Sequence, residues 1–253
     1  MTQEAKIEIR NLSVWYGGKQ ALDSVSLSVP TGSIFAIIGP AGAGKTTLLK
    51  AINRTIEFTP GARVSGEILV DGDEVHRMRN VYALRRRIGM VFPLPVGLPL
   101  SIYENVAYAP RRAGIKRRSE LDGIVEGCLR QAALWDEVKE RLDALGSLLS
   151  GGQQQRLTIA RALSLDPEIL CLDEFSIAID PVTTMKIEDV LVTLKSHMTV
   201  VLVTNLVQQA RRLSDYTCFL NKGRVVQVDT TARMFSGDPG NQVTYDYING
   251  RFG

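Results

Sequence analysis

Eight residues, Gly39-Pro40-Ala41-Gly42-Ala43-Gly44-Lys45-Thr46, constrain this chain more than any other stretch. They follow an apolar run, Ile34-Phe35-Ala36-Ile37-Ile38, and lead into Thr47-Leu48-Leu49-Lys50-Ala51-Ile52, which has helical spacing. The pattern G-x-x-x-x-G-K-[ST] between a strand and a helix is a phosphate-binding loop. Glycines let the backbone curl so that several N–H groups point inward, and the start of the helix adds a positive dipole. In such a loop Lys45 reaches the β- and γ-phosphates of a nucleotide, and the Thr46 hydroxyl takes one position on Mg2+. The alternative, a glycine-rich turn that binds nothing, leaves the ordered succession of strand, loop, lysine, hydroxyl and helix without a reason.

At 253 residues the chain is long enough for one large α/β domain or two small ones. Its 45% hydrophobic and 23% charged content is that of an ordinary soluble globular protein. The net charge of +3 argues neither for nor against nucleic acid, which would need a strongly basic stripe. Two basic clusters, Arg85-Arg86-Arg87 and Lys116-Arg117-Arg118, read as solvated helix faces and turns. Cys128, Cys171 and Cys218 are far apart and odd in number, with no zinc spacing or disulfide framework, which fits a reducing cytosolic setting. The polar start, Met1-Thr2-Gln3-Glu4-Ala5-Lys6, lacks the apolar core of a secretory signal. No run approaches the roughly 20 apolar residues that span a bilayer, so a membrane role would run through a partner.

Around the loop the chain alternates strand and helix. Lys6–Val14 and Ala21–Val29 alternate apolar and polar as half-buried strands do. Trp15-Tyr16-Gly17-Gly18 ends the first; taken alone, its aromatics suit a core plug better than a platform for a base. Gly66–Gly72 is a strand closed by Asp71-Gly72, Val81–Arg87 a helix, and Ile88–Phe92 a buried strand. Pro93, Pro95 and Pro99 then forbid regular structure. Ser101–Asp143 is helical throughout, a block that interrupts the α/β alternation and reads as an inserted subdomain.

Leu149-Ser150-Gly151-Gly152-Gln153 opens a further helix that runs to Leu163, and is either a second anion site or a plain N-cap. Ile169–Leu172 is a buried strand with Asp173-Glu174 at its carboxyl end, where a Mg2+ ligand and a water-polarising base belong. A helix over Pro181–Lys195 carries Val182, Met185, Val190, Leu191 and Leu194 at helical spacing. Thr199–Thr204 is a buried strand, Gln208–Leu213 a helix, and Thr217–Leu220 with Arg224–Val228 a closing pair of strands joined at Asn221-Lys222-Gly223.

Taken together these residues resemble the ATP-binding subunits of ABC transporters. Gly39–Thr46 looks like the family's Walker A, Leu149–Gln153 its signature LSGGQ, Leu170–Glu174 its Walker B and Ala178-Ile179-Asp180 its D-loop. The resemblance implies an α/β fold: a RecA-like P-loop NTPase core with an antiparallel β subdomain and an inserted α-helical subdomain. It implies one ABC ATPase domain over 1–253, the helical part covering about 94–165. It puts Tyr16 against adenine, which reverses the core-plug preference. Gly39, Pro40, Ala41, Gly42, Ala43, Gly44, Lys45, Thr46 and Thr47 would lie around the ATP phosphates, with Thr46 and Asp173 on Mg2+ and Glu174 as base. Ser150, Gly151, Gly152 and Gln153 would reach ATP held by a second copy, so the expected assembly is a head-to-tail, ATP-dependent homodimer. Two membrane-spanning permease subunits complete it, at the cytoplasmic face of the inner membrane, with no nucleic acid partner.

A narrower resemblance, to the ATPases of phosphate-import transporters, rests on stretches outside the ATP site. These are Pro60–Val64, Leu84–Phe92, Ser101–Tyr108 and the ending Asp246–Gly253. The chain departs from the family pattern in three places. Pro93 stands where a Gln follows the Met-Val-Phe strand, and Asn205 where a His contacts the γ-phosphate. Phe175-Ser176-Ile177 replaces a Pro-Thr-Ser stretch. Asn donates a hydrogen bond but carries neither proton nor charge, so the expectation is intact ATP binding with slow hydrolysis. The competing expectations are a nucleotide-binding regulatory protein that has lost turnover, and an ABC ATPase serving another solute.

Overall fold

The structure, a computed structural model, describes residues 4–95, 97–177, 179–238 and 240–251. In chain order the elements are β1 (Ala5–Tyr16), β2 (Lys19–Pro30), β3 (Ile34–Ile38), α1 (Lys45–Ile52), β4 (Ala62–Val70), β5 (Asp73–Glu74), α2 (Val81–Arg87) and β6 (Ile88–Val91). Then come α3 (Ile102–Arg112), α4 (Arg118–Gln131), α5 (Trp135–Val138), α6 (Gly151–Leu163), β7 (Ile169–Asp173) and α7 (Pro181–Leu194). The chain ends with β8 (Thr199–Val203), α8 (Val207–Leu213), β9 (Tyr216–Asn221), β10 (Arg224–Thr230), α9 (Thr231–Met234) and α10 (Gln242–Ile248). Two compact units emerge: Met1–Arg85 with Met198–Gly253, and Arg86–His197.

The first unit holds an antiparallel sheet in the order β2-β1-β4-β5. Along β1 the buried apolar residues are Ile7 and Ile9, then Leu12 and Val14, so the alternation slips by one position between Ile9 and Leu12. A bulge explains the slip: Asn11 adopts φ 50°, and the registers with β2 and β4 both shift there. The extra residue returns the next pair of apolar side chains to the same face. Gly66 on β4 makes the crossing possible, since a Cβ there would stand 2.5 Å from the Asn11 carbonyl oxygen.

In the same unit β3 lies between β8 and β9 and parallel to both. All five of its residues are buried, as two-sided burial of a parallel strand demands. β10 pairs antiparallel with β9 through a two-residue turn, Lys222 at φ 47° and Gly223 at φ 77°. The closing strand pair is followed by α9 and α10, which add to the core the strands were expected to complete. Tyr247 of α10 stacks on Phe219 of β9, ring centroids 4.6 Å apart, and joins Phe235 and Ile248 over the buried cluster Ala36, Ile38, Ala210 and Phe219.

The second unit pairs β6 and β7 in parallel. α6 lies close against β6, since a Cβ on Gly89 would come 3.1 Å from the Ala162 carbonyl oxygen. α3 and α4 pack with α6. Fully buried Asn105 ties the chain after the prolines to this helical body: its amide nitrogen donates to the carbonyls of Leu100 and Ser101, and its oxygen accepts from Leu98 N–H and Arg161.

Two sequence expectations need correction. On α7, Val182 and Met185 are 68% and 63% exposed, and the buried face is Thr184, Ile187, Glu188, Val190, Leu191 and Leu194. The helix carries apolar residues on more than one side, so spacing alone could not choose among them. Of the basic clusters, Lys116, Arg117 and Arg118 are exposed as expected, while Arg85 and Arg87 are only half-exposed. Arg85 donates to the carbonyls of Asn53 and Arg54 and covers the Phe58 ring, Arg87 pairs with Glu168, and Arg118 pairs with Asp122 over Tyr103.

Candidate nucleotide-binding site

In the first unit the loop between β3 and α1 is shaped by its glycines. Gly39, Gly42 and Gly44 have φ of 156°, 75° and 104°. A Cβ on Gly39 would stand 2.1 Å from the Leu220 carbonyl oxygen, and one on Gly44 would stand 2.6 Å from Leu22 Cδ2 and 2.8 Å from the Ala21 carbonyl oxygen. Gly42 has open space around it. Pro40 and Ala41 form the outer arc, closed by a bond from Ala43 N–H to the Pro40 carbonyl at 3.2 Å.

The loop is braced from a distance in sequence. Gly223, at the β9–β10 turn, donates its N–H to the Ala43 carbonyl at 3.0 Å, while its own carbonyl accepts from Asp23 N–H at 2.8 Å. A Cβ at Gly223 would sit 2.7 Å from the Ala21 carbonyl oxygen, so glycine alone gives this clearance. Sequence reasoning took Gly223 for a turn residue and missed the brace; nothing in its local pattern signals contact with a loop so far upstream.

α1 starts with no side-chain cap, its N-cap being Gly44, and has no acidic residue in its first turn. Other helices in this chain do have such caps: Ser101, Ser150, Asp180 and Asn241 each accept an N–H from the first turn. Amides at the start of a helix have no intrahelical acceptors, and together with the dipole they suit an anion. Lys45 is 5% exposed, and its ammonium lies within the loop, donating to the carbonyls of Gly39 at 2.8 Å and Pro40 at 3.1 Å. Glycines that a Cβ would jam, an uncapped helix start and an inward lysine fit a polyphosphate.

Thr46 and Thr47 occupy the first turn of α1. Tyr16, the last residue of β1, points its hydroxyl at Thr47 Oγ1, 3.4 Å away, so the aromatic stands beside the loop. Asn205 follows β8, whose neighbour is β3, and the two strands run parallel, so Asn205 lies at the same sheet end as the loop. It is exposed, and the turn beneath it is held by Thr204, whose hydroxyl accepts from Leu206 N–H and donates to Gln209.

The other expected site residues belong to the second unit. Asp173 closes β7 and is 1% exposed. Glu174 follows in the left-handed region at φ 43°, a conformation uncommon for a non-glycine residue. Its carbonyl accepts from Ile177 N–H, and Phe175 is fully buried beside it. Burial, with the Asp173 charge as a smaller cause, pushes the Cys171 thiol up to about 12, so that thiol is inert. Of the segment Ala178-Ile179-Asp180, Ala178 lies outside the described residues, as do Val96, Phe252 and Gly253.

Ser150 caps α6, with Gly151 and Gly152 in its first turn and Gln153 completing a reciprocal capping box. A Cβ on Gly152 would stand 2.6 Å from Thr183 Cγ2, so the start of α6 packs directly on α7. Gln154 donates to the carbonyls of Ser147 and Leu149 and accepts from Gly97 N–H, joining the tip to the loop after Pro93. Gln154, like Glu137 and Arg156 beneath the tip, escaped the sequence reading.

Fold and loop define a P-loop ATPase with a RecA-like α/β core. The chain belongs to the ABC transporter family, whose profile matches residues 22–176. Over 253 residues, all of this chain and 92% of the relative, it is 48% identical to the phosphate import ATP-binding protein PstB of Pseudoalteromonas translucida (strain TAC 125). Among solved structures it resembles cbiO1 of Clostridium perfringens, part of the ABC transporter complex cbiONQ, at TM-score 0.82 and 25% identity, covering 93% of this chain and 92% of that one. It also resembles an ATP-binding cassette in a dimeric post-hydrolysis state bound to ADP and Pi, at TM-score 0.76 and 30% identity, covering 89% of this chain and 98% of that one. The chain is an ABC ATPase, an enzyme that binds and hydrolyses ATP.

Proposed function

We propose that the chain is the ATP-binding subunit of an importer of inorganic phosphate. The observation that carries this reading is its 48% identity, across its whole length, to a phosphate import ATP-binding protein. Residues 1–253 would then be one ABC ATPase domain with its helical part over about 94–165. Among the described residues no helix is long and apolar enough to cross a membrane. That supports a peripheral place on the cytoplasmic face of the inner membrane, docked on two permease subunits through the loop after Phe92 and the helical block.

Bound Mg·ATP would supply the phosphoanhydride to be cleaved, with the metal screening its charge. The amides of Gly42–Thr47 and Lys45 would bind the phosphates, Thr46 and Asp173 would hold Mg2+, and Tyr16 would pack against the base. Glu174 accepts the proton of the attacking water, and Asn205 offers a neutral donor to the γ-phosphate. Ser150, Gly151, Gly152 and Gln153 contact the nucleotide of a second copy closed head to tail, so the ligand favours the dimer by contacts it makes only there. Turnover is slow because neither Pro93 nor Asn205 replaces the Gln and His of the family pattern. Reconstitution with the permease subunits into vesicles tests the reading: ATP should drive uptake of inorganic phosphate. Uptake of a different solute, or none, would sink it.

A further inference from the structure

The signature turn at Ser150 is fastened by one carboxylate on α5. Ser150 Oγ accepts from Gln153 N–H at 3.4 Å, and Gln153 Oε1 accepts from Ser150 N–H at 3.1 Å. The far side of the same amide, Nε2, donates to Glu137 Oε2 at 2.9 Å. Glu137 is gripped by both terminal nitrogens of Arg156, at 2.7 and 3.0 Å. Arg156, 4% exposed on its side chain, also donates to the Ala133 and Gly152 carbonyls.

The donor pattern leaves Gln153 one orientation. Turning its amide over would set Nε2 against the Ser150 N–H, donor to donor, and Oε1 against a carboxylate, acceptor to acceptor. Arg156 first, and Gln153 after it, hold the Glu137 carboxyl below the usual carboxylate range, so the anion that enforces this orientation persists at neutral pH. With Gln153 fixed, the Ser150 oxygen accepts from the Gln153 N–H and its hydroxyl proton stays available for the exposed turn to donate to an anion. The Arg156 charge offsets the Glu137 charge, so the tip gains rigidity without a net repulsion toward phosphate.

We propose that Glu137 is a positioning residue that pre-organises the Ser150-Gly151-Gly152 tip, acting through Gln153, for the γ-phosphate of ATP held by a second copy. The inference rests on the head-to-tail reading above. Its test uses the full chain and measures ADP affinity together with dimerisation driven by Mg2+ and a non-hydrolysable ATP analogue. Glu137→Ala should leave ADP affinity within about twofold and weaken dimerisation about tenfold, the scale of one charge-assisted hydrogen bond. Glu137→Gln keeps an oxygen facing Gln153 but sets its amide nitrogen against Arg156, donor to donor, so it should recover only part of the loss. The Glu137→Met/Arg156→Met pair removes both charges without stranding the buried guanidinium, and should show the same tenfold weakening even if Glu137→Ala fails to fold. Adding Glu137→Ala to Gln153→Ala should cost nothing further, because the two act in series. Unchanged dimerisation in the folded variants, or additive losses in that pair, overturns the proposal alone. A wild-type chain that never dimerises with the analogue overturns the head-to-tail reading and the proposal with it.

Discussion

Lys45 Nζ donates to the Gly39 carbonyl oxygen at 2.8 Å, so the lysine of the phosphate loop is folded back onto the loop's first residue. The ammonium is nearly buried and shares itself with the Pro40 carbonyl at 3.1 Å. Phosphate oxygens carry more charge than carbonyls and compete for the same three donors, so binding exchanges weaker acceptors for stronger ones. Lys45→Met keeps the aliphatic stem and removes the donors. Its ATP affinity should fall by roughly 10- to 100-fold, the range for bonds to a charged group, as read by titration calorimetry.

Gly39 and Gly42 both have positive φ, yet alanine at each should fail differently. At Gly39 the new methyl would meet the Leu220 carbonyl at 2.1 Å, backbone that is locked in the β9 ladder. Gly39→Ala should destabilise the fold by about 3 kcal/mol or more in denaturant melts, combining a steric clash with backbone strain. At Gly42 nothing lies within 4 Å, so the cost to the fold is the left-handed backbone alone, about 1 kcal/mol. The methyl there would narrow the arc where the phosphates bind, so Gly42→Ala should melt near wild type and bind ATP at least tenfold more weakly. Equal stability losses would contradict this division.

The sequence made the strands and the loop legible because each announces itself over a few neighbouring residues. Val81–Arg87 is helical over the residues its spacing predicts, and Lys6–Val14 falls inside Ala5–Tyr16. The loop needs only glycines, a lysine and a hydroxyl in order. What escaped depends on partners distant along the chain. No local pattern says that Gly223 holds Ala43, or that Glu137 faces Gln153. The bulge at Asn11 hides as an interruption of alternation, and α10 is a short helix whose stability comes from Tyr247 on Phe219 and not from its own propensity. Val182 and Met185 suited a buried stripe equally well; only packing shows that α7 turns them outward.

His76 makes stability depend on pH. Its Nε2 is buried with no hydrogen-bond partner, while its backbone N–H donates to Glu74. Burial is the main cause that lowers its pKa below the ordinary 6.5; Arg54 lowers it further, and Glu74 and Glu57 oppose the shift. The unfolded chain therefore takes up the proton first as pH falls. The contribution of neutral His76 is complete above 6.5 and is lost as pH drops from there toward the folded value. His76→Leu should flatten the stability profile between pH 7.5 and 5.5 relative to wild type, measured by urea unfolding at each pH. Parallel profiles would show that other groups set the acid sensitivity.

The two departures nearest to catalysis can be reversed one at a time. Asn205 is exposed just beyond Thr204, on a turn whose hydrogen bonds run through the Thr204 hydroxyl and Leu206 N–H, so its side chain can change without disturbing that turn. Asn205→His adds a ring that both donates and carries charge below its pKa. One donor aimed at developing negative charge is worth about 10²-fold in turnover, so a recovery of at least tenfold is expected, with ATP affinity changed less than threefold. The gained activity should decline as pH rises above about 6.5 if it comes from the imidazolium, and stay flat if the neutral ring donates. Pro93→Gln supplies a polar side chain directly after Phe92, where proline offers neither N–H nor side-chain donor. Its gain should multiply with that of Asn205→His if each restores a separate contact to the same transition state, and steady-state ATP hydrolysis by the two single variants and their combination decides this. Turnover that stays at the wild-type rate in all three would place the slow step elsewhere, in assembly of the dimer or release of product, and Pro93 and Asn205 would then have no part in setting it.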